Sequence, residues 1–161
     1  MHRHVIGLFY EPKHTAEAVE ALVEAGVGRG AISLLATQER ASHFELAEIT
    51  KDSEGAAAGG VLGGPTGLGA TLIMTGAATG GVLAIGPLLV ALASLGLGTS
   101  IGGIVGALVG IGLPEHEARF YEREVVDGGA ALVGVSTLRH DDARIALILH
   151  RHKAANITKP A

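Results

Sequence analysis

The sequence predicts an α+β chain: a ferredoxin-like split βαβ sandwich interrupted by a glycine-zipper helical hairpin expected to cross a membrane. Three observations predict it. Residues 55–114 contain no Asp, Glu, Lys, Arg or His. Glycines recur through that stretch at four-residue spacing. The two polar flanks repeat one strand-helix pattern. The boundaries follow as 1–53 for the first βαβ half, 54–113 for the hairpin, and 114–161 for a helix plus the second half.

In the first half, Val5–Tyr10 is a short apolar run ended by the turn signal Glu11-Pro12. Thr15–Ala25 places Ala18, Val19, Leu22 and Val23 on one side and Glu17, Glu20 and Glu24 on the other, then stops at Gly26. Ala31–Ala36 is the second strand. The second half opens with a helix at Pro114, with Glu115 and Glu117 at its positive end and Gly128-Gly129 at its stop. Glu122 and Glu124 read as solvated positions on that amphipathic helix. Ala130–Ser136 is a strand, Asp141 or Asp142 caps a helix carrying Ile145, Ile148 and Leu149 on one face, and Ala155–Thr158 is a final short strand. Val5–Leu22 and Leu132–Leu149 match as an internal duplication. Two such units predict four antiparallel strands with two helices on one face.

The middle zone carries two glycine series. Gly55, Gly59, Gly63 and Gly67 form one; Gly98, Gly102, Gly106 and Gly110 form the other. Each lies along one helix face, where missing side chains let a second backbone approach. Leu88–Leu113 exceeds the ~20 residues needed to span a bilayer, Gly55–Thr79 is a poorer span broken by Pro65, and Gly80–Gly86 is the expected turn. Lys51, Arg119 and Arg123 flank the hairpin while its turn lacks positive charge. Both ends are therefore expected in the cytoplasm, with the hairpin in the inner membrane. The opening residues do not read as a signal peptide, because Glu11 and Lys13 follow the short apolar run at once.

Composition excludes several function classes. There is no cysteine, so disulfides, thiolate metal sites and cysteine catalysis are ruled out. The net charge of −4 gives no basic surface for nucleic acid. Gly96, Gly98 and Gly102 imitate a dinucleotide loop with Glu117 downstream, but they belong to a continuing four-residue series and not to a strand-to-helix turn. Gly64-Pro-Thr-Gly67 lacks the Lys-Ser/Thr of a phosphate loop. His2 and His4 share one face of the first strand, and His150 and His152 end the last helix. Solvated side chains are the preferred reading, with a zinc, nickel or copper site as the alternative. No triad or paired-carboxylate constellation stands out. The expectation is a non-enzymatic protein with no cofactor, whose partners are membrane lipid, further copies of itself and an unidentified protein. A second reading is a soluble cytoplasmic oligomer whose lipophilic interior holds lipid or quinone.

The opening VIGLF, AEAVEALVEAG and ISLLA, and above all the block Gly102–Val135 (GGIVGALVGIGLPEHEARFYEREVVDGGAALVGV), resemble a bacterial family. Its members are named general stress proteins, low-temperature-induced proteins or membrane proteins of unknown function. The resemblance covers nearly the whole chain. It implies a ferredoxin-like domain split by a membrane-type hairpin, a stress-linked role, and no catalytic residues to carry over.

Overall fold

Both faces of the central sheet are covered by helices, where the sequence predicted one. The computed structural model describes residues 3–41, 72–74, 82–85, 102–137 and 141–159. Their order is β1 (Arg3–Phe9), α1 (Pro12–Glu24), β2 (Ile32–Thr37), α2 (Gln38–Ala41), β3 (Leu72–Met74), β4 (Val82–Ile85), α3 (Gly102–Gly110), α4 (Glu115–Val126), β5 (Ala131–Thr137), α5 (Asp142–Arg151) and β6 (Ala155–Thr158). One sheet runs β3-β4-β2-β5-β1-β6, antiparallel throughout. Its four strands β2-β5-β1-β6 interleave the units β1-α1-β2 and β5-α5-β6, as the duplication predicted.

Alternation along each strand divides the core in two. Val5 and Phe9 of β1, Leu34 and Ala36 of β2, and Val133 and Val135 of β5 face one layer. There they meet Ala18, Val19 and Leu22 of α1 and Ile145 and Leu149 of α5. The intervening Ile6, Leu8, Leu35 and Leu132 face the other layer, against Ile104, Ala107 and Leu108 of α3 and Ala118, Tyr121 and Val125 of α4. Strands buried on both faces read as continuous apolar runs instead of alternating ones. The runs ISLLA and ALVGV carry that signature.

Local stops shape the helices. Pro12 opens α1 at its first turn, three residues before the predicted start. There it gives up no hydrogen bond, and its fixed φ suits the helix. At the other end Gly26, at φ +89°, lets Val27 N–H reach the Leu22 carbonyl at 3.0 Å and Gly26 N–H reach that of Val23 at 2.9 Å. The same pair of bonds closes α5 around Lys153, at φ +63°. Asp141 holds the N-cap position of α5 but makes no side-chain capping bond.

The outer strand β6 carries a bulge. Gly7 pairs Ile157 while Leu8 pairs Ala155, leaving Asn156, at φ +51°, as the extra residue. Gly7 suits this crossing: a Cβ there would meet the Ala154 Cβ at 3.2 Å and the Leu149 Cδ1 at 3.4 Å.

The hairpin prediction is corrected where it can be followed. Leu72–Met74, expected within the first span, is a strand, and so is Val82–Ile85, expected in the turn. Val82–Ile85 pairs with β2 from Leu34↔Ile85 to Thr37↔Val82, extending the sheet past its predicted edge. A short apolar run bounded by Gly81 and Gly86-Pro87 is the pattern of a strand, and an edge with open N–H and C=O groups recruits it. Of the second predicted span, Gly102–Gly110 is helical. Among the described residues, no helix is long and apolar enough to cross a membrane.

Candidate functional site

Helix α3 is where the glycine series can be placed on a folded surface. Gly102, Gly106 and Gly110 form one ridge; Ile104, Ala107 and Leu108 form the ridge that packs onto α4 and the sheet. At about 100° per residue, the centres of the two ridges lie roughly 150° apart around the helix. The series therefore runs along the side of the helix away from that ridge, with Gly106 half-buried and Gly110 exposed. A Cβ on Gly110 would meet nothing within 4 Å, and its neighbour Val109 is 42% exposed. Gly55, Gly59, Gly63, Gly67 and Gly98 lie outside the described residues.

The orientation of α3 is set by its end and by α4. Gly112, at φ +102°, turns the chain while Leu113 N–H bonds the Leu108 carbonyl at 3.0 Å and Gly112 N–H bonds that of Val109 at 2.9 Å. Pro114 follows, one position outside α4, and prevents a single continuous helix. α4 is then anchored at three points. Tyr121, 1% exposed, donates to the Thr158 hydroxyl at 2.7 Å, and burial pushes its phenol pKa up. Tyr10, just past β1, donates to the Glu124 carboxylate at 2.5 Å. The third point is Glu122.

Glu122 corrects the solvated reading of this helix. It is 8% exposed, and its carboxylate accepts a hydrogen bond from the backbone N–H of Val105, in the first turn of α3. A carboxylate near the positive end of α3 is favoured by the dipole of that helix. Burial raises the Glu122 pKa above the usual carboxylate range, while the Val105 bond and Arg119 pull it back. Among the described residues, its Oε2 has no hydrogen-bond partner. Glu124 is likewise engaged, by Tyr10. Glu115 remains an exposed residue, paired with Arg119 at 2.6 Å, a surface contact of small energetic weight.

The histidines do not converge. His4 stands opposite Ser136 at one end of β1, whereas His150 and His152 close α5, whose following strand begins opposite Leu8. Four residues of strand separate those levels, about 13 Å. His152 lies instead 4.0 Å from Glu17 across the α1–α5 seam. His2 is outside the described residues. Among the described residues, no group of three or more His, Cys, Asp or Glu could hold a metal ion.

Comparison with protein-family models, curated proteins and solved structures finds no match for this chain. Chemically the arrangement offers an apolar, small-residue ridge backed by a firmly seated helix, and among the described residues it gathers no nucleophile, base and orienting group around a cleft. The contact of Glu122 with α3 had no sequence signal, because its partner is brought to it only by the reversal at Gly112.

Proposed function

We propose that this is a non-enzymatic, membrane-associated protein of the stress-protein type it resembles, which self-associates through its glycine-rich segment. A ferredoxin-like split βαβ domain serves as the platform. The observation that carries this reading is Gly110, which stands open among the described residues at the end of a glycine series on the side of α3 away from Ile104, Ala107 and Leu108. A helix face without side chains has little to gain from water. It gains through close backbone approach to a second helix, with van der Waals contact along its length. The charge-free stretch from Gly55 to Pro114 supports a lipid setting for that approach.

A second reading has one observation in its favour. β4, from inside the same apolar stretch, pairs with β2 of the polar domain. This suits a soluble oligomer that buries the stretch between copies, with room for lipid or quinone inside. High-speed centrifugation of a cell lysate without detergent separates the two. Recovery of the chain in the membrane pellet, released by detergent and not by high salt, is the expected result. Recovery in the supernatant as a defined oligomer would overturn the membrane assignment.

A further inference from the structure

The outer surface of the α1–α5 layer carries a charge pattern that is only partly satisfied among the described residues. α1 and its approach bear Glu11, Glu17, Glu20 and Glu24 against Lys13, 3.9 Å from Glu17, and His14, 3.4 Å from Glu11. α5 and its exit bear Arg144, Arg151 and Lys153, with His150 and His152, against Asp141 and the buried Asp142. Between the helices runs a groove floored by Ala21, Ala25 and Ile148 and edged by Glu24, Arg144 and Arg151. Leu147 stands on its rim, 51% exposed. Among the described residues, the seam is bridged by one ion pair, His152 with Glu17, and no ion pair engages Glu20, Glu24, Arg144 or Arg151. An acidic helix beside a basic one, with small residues between them and a large apolar side chain at the rim, is a self-complementary surface.

We propose that a second copy of this chain docks on this layer about a twofold axis parallel to the helices, so that α1 of each copy lies over α5 of the other. The charges select this axis. A twofold axis across the helices would set α1 on α1 and α5 on α5, placing like charges opposite each other. The parallel axis preserves position along the helices, so contacts between copies repeat the neighbours seen within one. Ala25 and Arg144 flank one end of the seam, and Glu17 and His152 the other. Glu24 then faces Arg144 of the second copy, Glu20 and Glu17 face the Arg151 end, and Leu147 fills the gap over Ala21. The surface lies across the sheet from α3, so it is independent of the glycine ridge and gives the chain two separate faces for association.

The absence of native cysteine makes the test direct. Full-length chains carrying Ala21→Cys are mixed with chains carrying Leu147→Cys, and mixed disulfide dimers are measured under mild oxidation. The expected result is an efficient cross-link between the two kinds of chain. Its yield should fall about tenfold when both chains also carry Glu20→Lys with Glu24→Lys, or both carry Arg144→Glu with Arg151→Glu, since attraction becomes repulsion at each pair. The yield should return when the Ala21→Cys chain carries the lysine pair and the Leu147→Cys chain the glutamate pair. That rescue cannot come from misfolding, because both swaps are then present. A yield indifferent to the swaps, no rescue in the mixture, or a dominant Ala21→Cys self-cross-link would each overturn the proposal.

Discussion

Replacing Gly110 with leucine separates the folding of the domain from its association. Gly110 lies at the end of α3 with open space around its Cβ position, and its backbone is not in the left-handed region. A Cβ there meets nothing within 4 Å among the described residues, and leucine is favoured over glycine in a helix by roughly 0.5–1 kcal/mol, less at a frayed end. The folded domain should therefore be unchanged or slightly more stable, with a melting temperature raised by at most about 4 °C for a chain of this size. Association should move the other way. A leucine forced between two close-packed backbones costs about 1–3 kcal/mol, which is a weakening of roughly 5- to 150-fold at each such contact. Circular dichroism melting gives the first quantity, and sedimentation equilibrium in mild detergent gives the second. A variant that melts like the wild type and keeps the same oligomer size would refute the assignment of the glycine ridge to helix pairing.

Lys153 occupies the left-handed position that closes α5, at φ +63°, so Lys153→Gly should stabilise the fold by up to about 1 kcal/mol in urea unfolding. Tyr121→Phe removes the bond to Thr158 and should cost about 1 kcal/mol by the same measurement. In the wild type, the Tyr121 phenol should ionise above its usual range when followed by ultraviolet absorbance, because burial disfavours the charged form. Glu122 has a raised pKa in the folded state, so the folded chain holds its proton more tightly than the unfolded chain does. Its contribution therefore lowers stability as pH rises from the ordinary carboxylate range through the folded value, and is constant above that. Glu122→Gln keeps an acceptor for Val105 and should flatten this part of the pH profile, with unfolding midpoints compared across pH 4–7. An unchanged slope would mean that Glu122 is not the group responsible.

The strands and helices of the two halves were legible because each has a clear period and a marked stop. Val5–Tyr10, Thr15–Ala25 and Ala130–Ser136 all lie within a few residues of the observed elements. The second helical layer was harder to see. The apolar runs ISLLA and ALVGV fit two covered faces although one was predicted, and nothing local to α3 or α4 says which sheet face they will meet. That depends on the reversal at Gly112, a backbone event whose direction is set by tertiary packing. Val82–Ile85 was obscured by the glycines around it, which suggested a turn; its pairing is decided by the open edge of β2, over forty residues upstream. Glu122 shows the same limit at the site. Its spacing placed it among exposed glutamates, and only the folding back of α3 buries it.

The bulge at Asn156 has a bearing on how copies of this chain can meet. A kinked, four-residue outer strand offers a poor template for another chain's hydrogen bonds, so the sheet does not lengthen from that side into a continuous ribbon. Growth on that margin is disfavoured, so contacts between copies on that side of the domain fall to the helices.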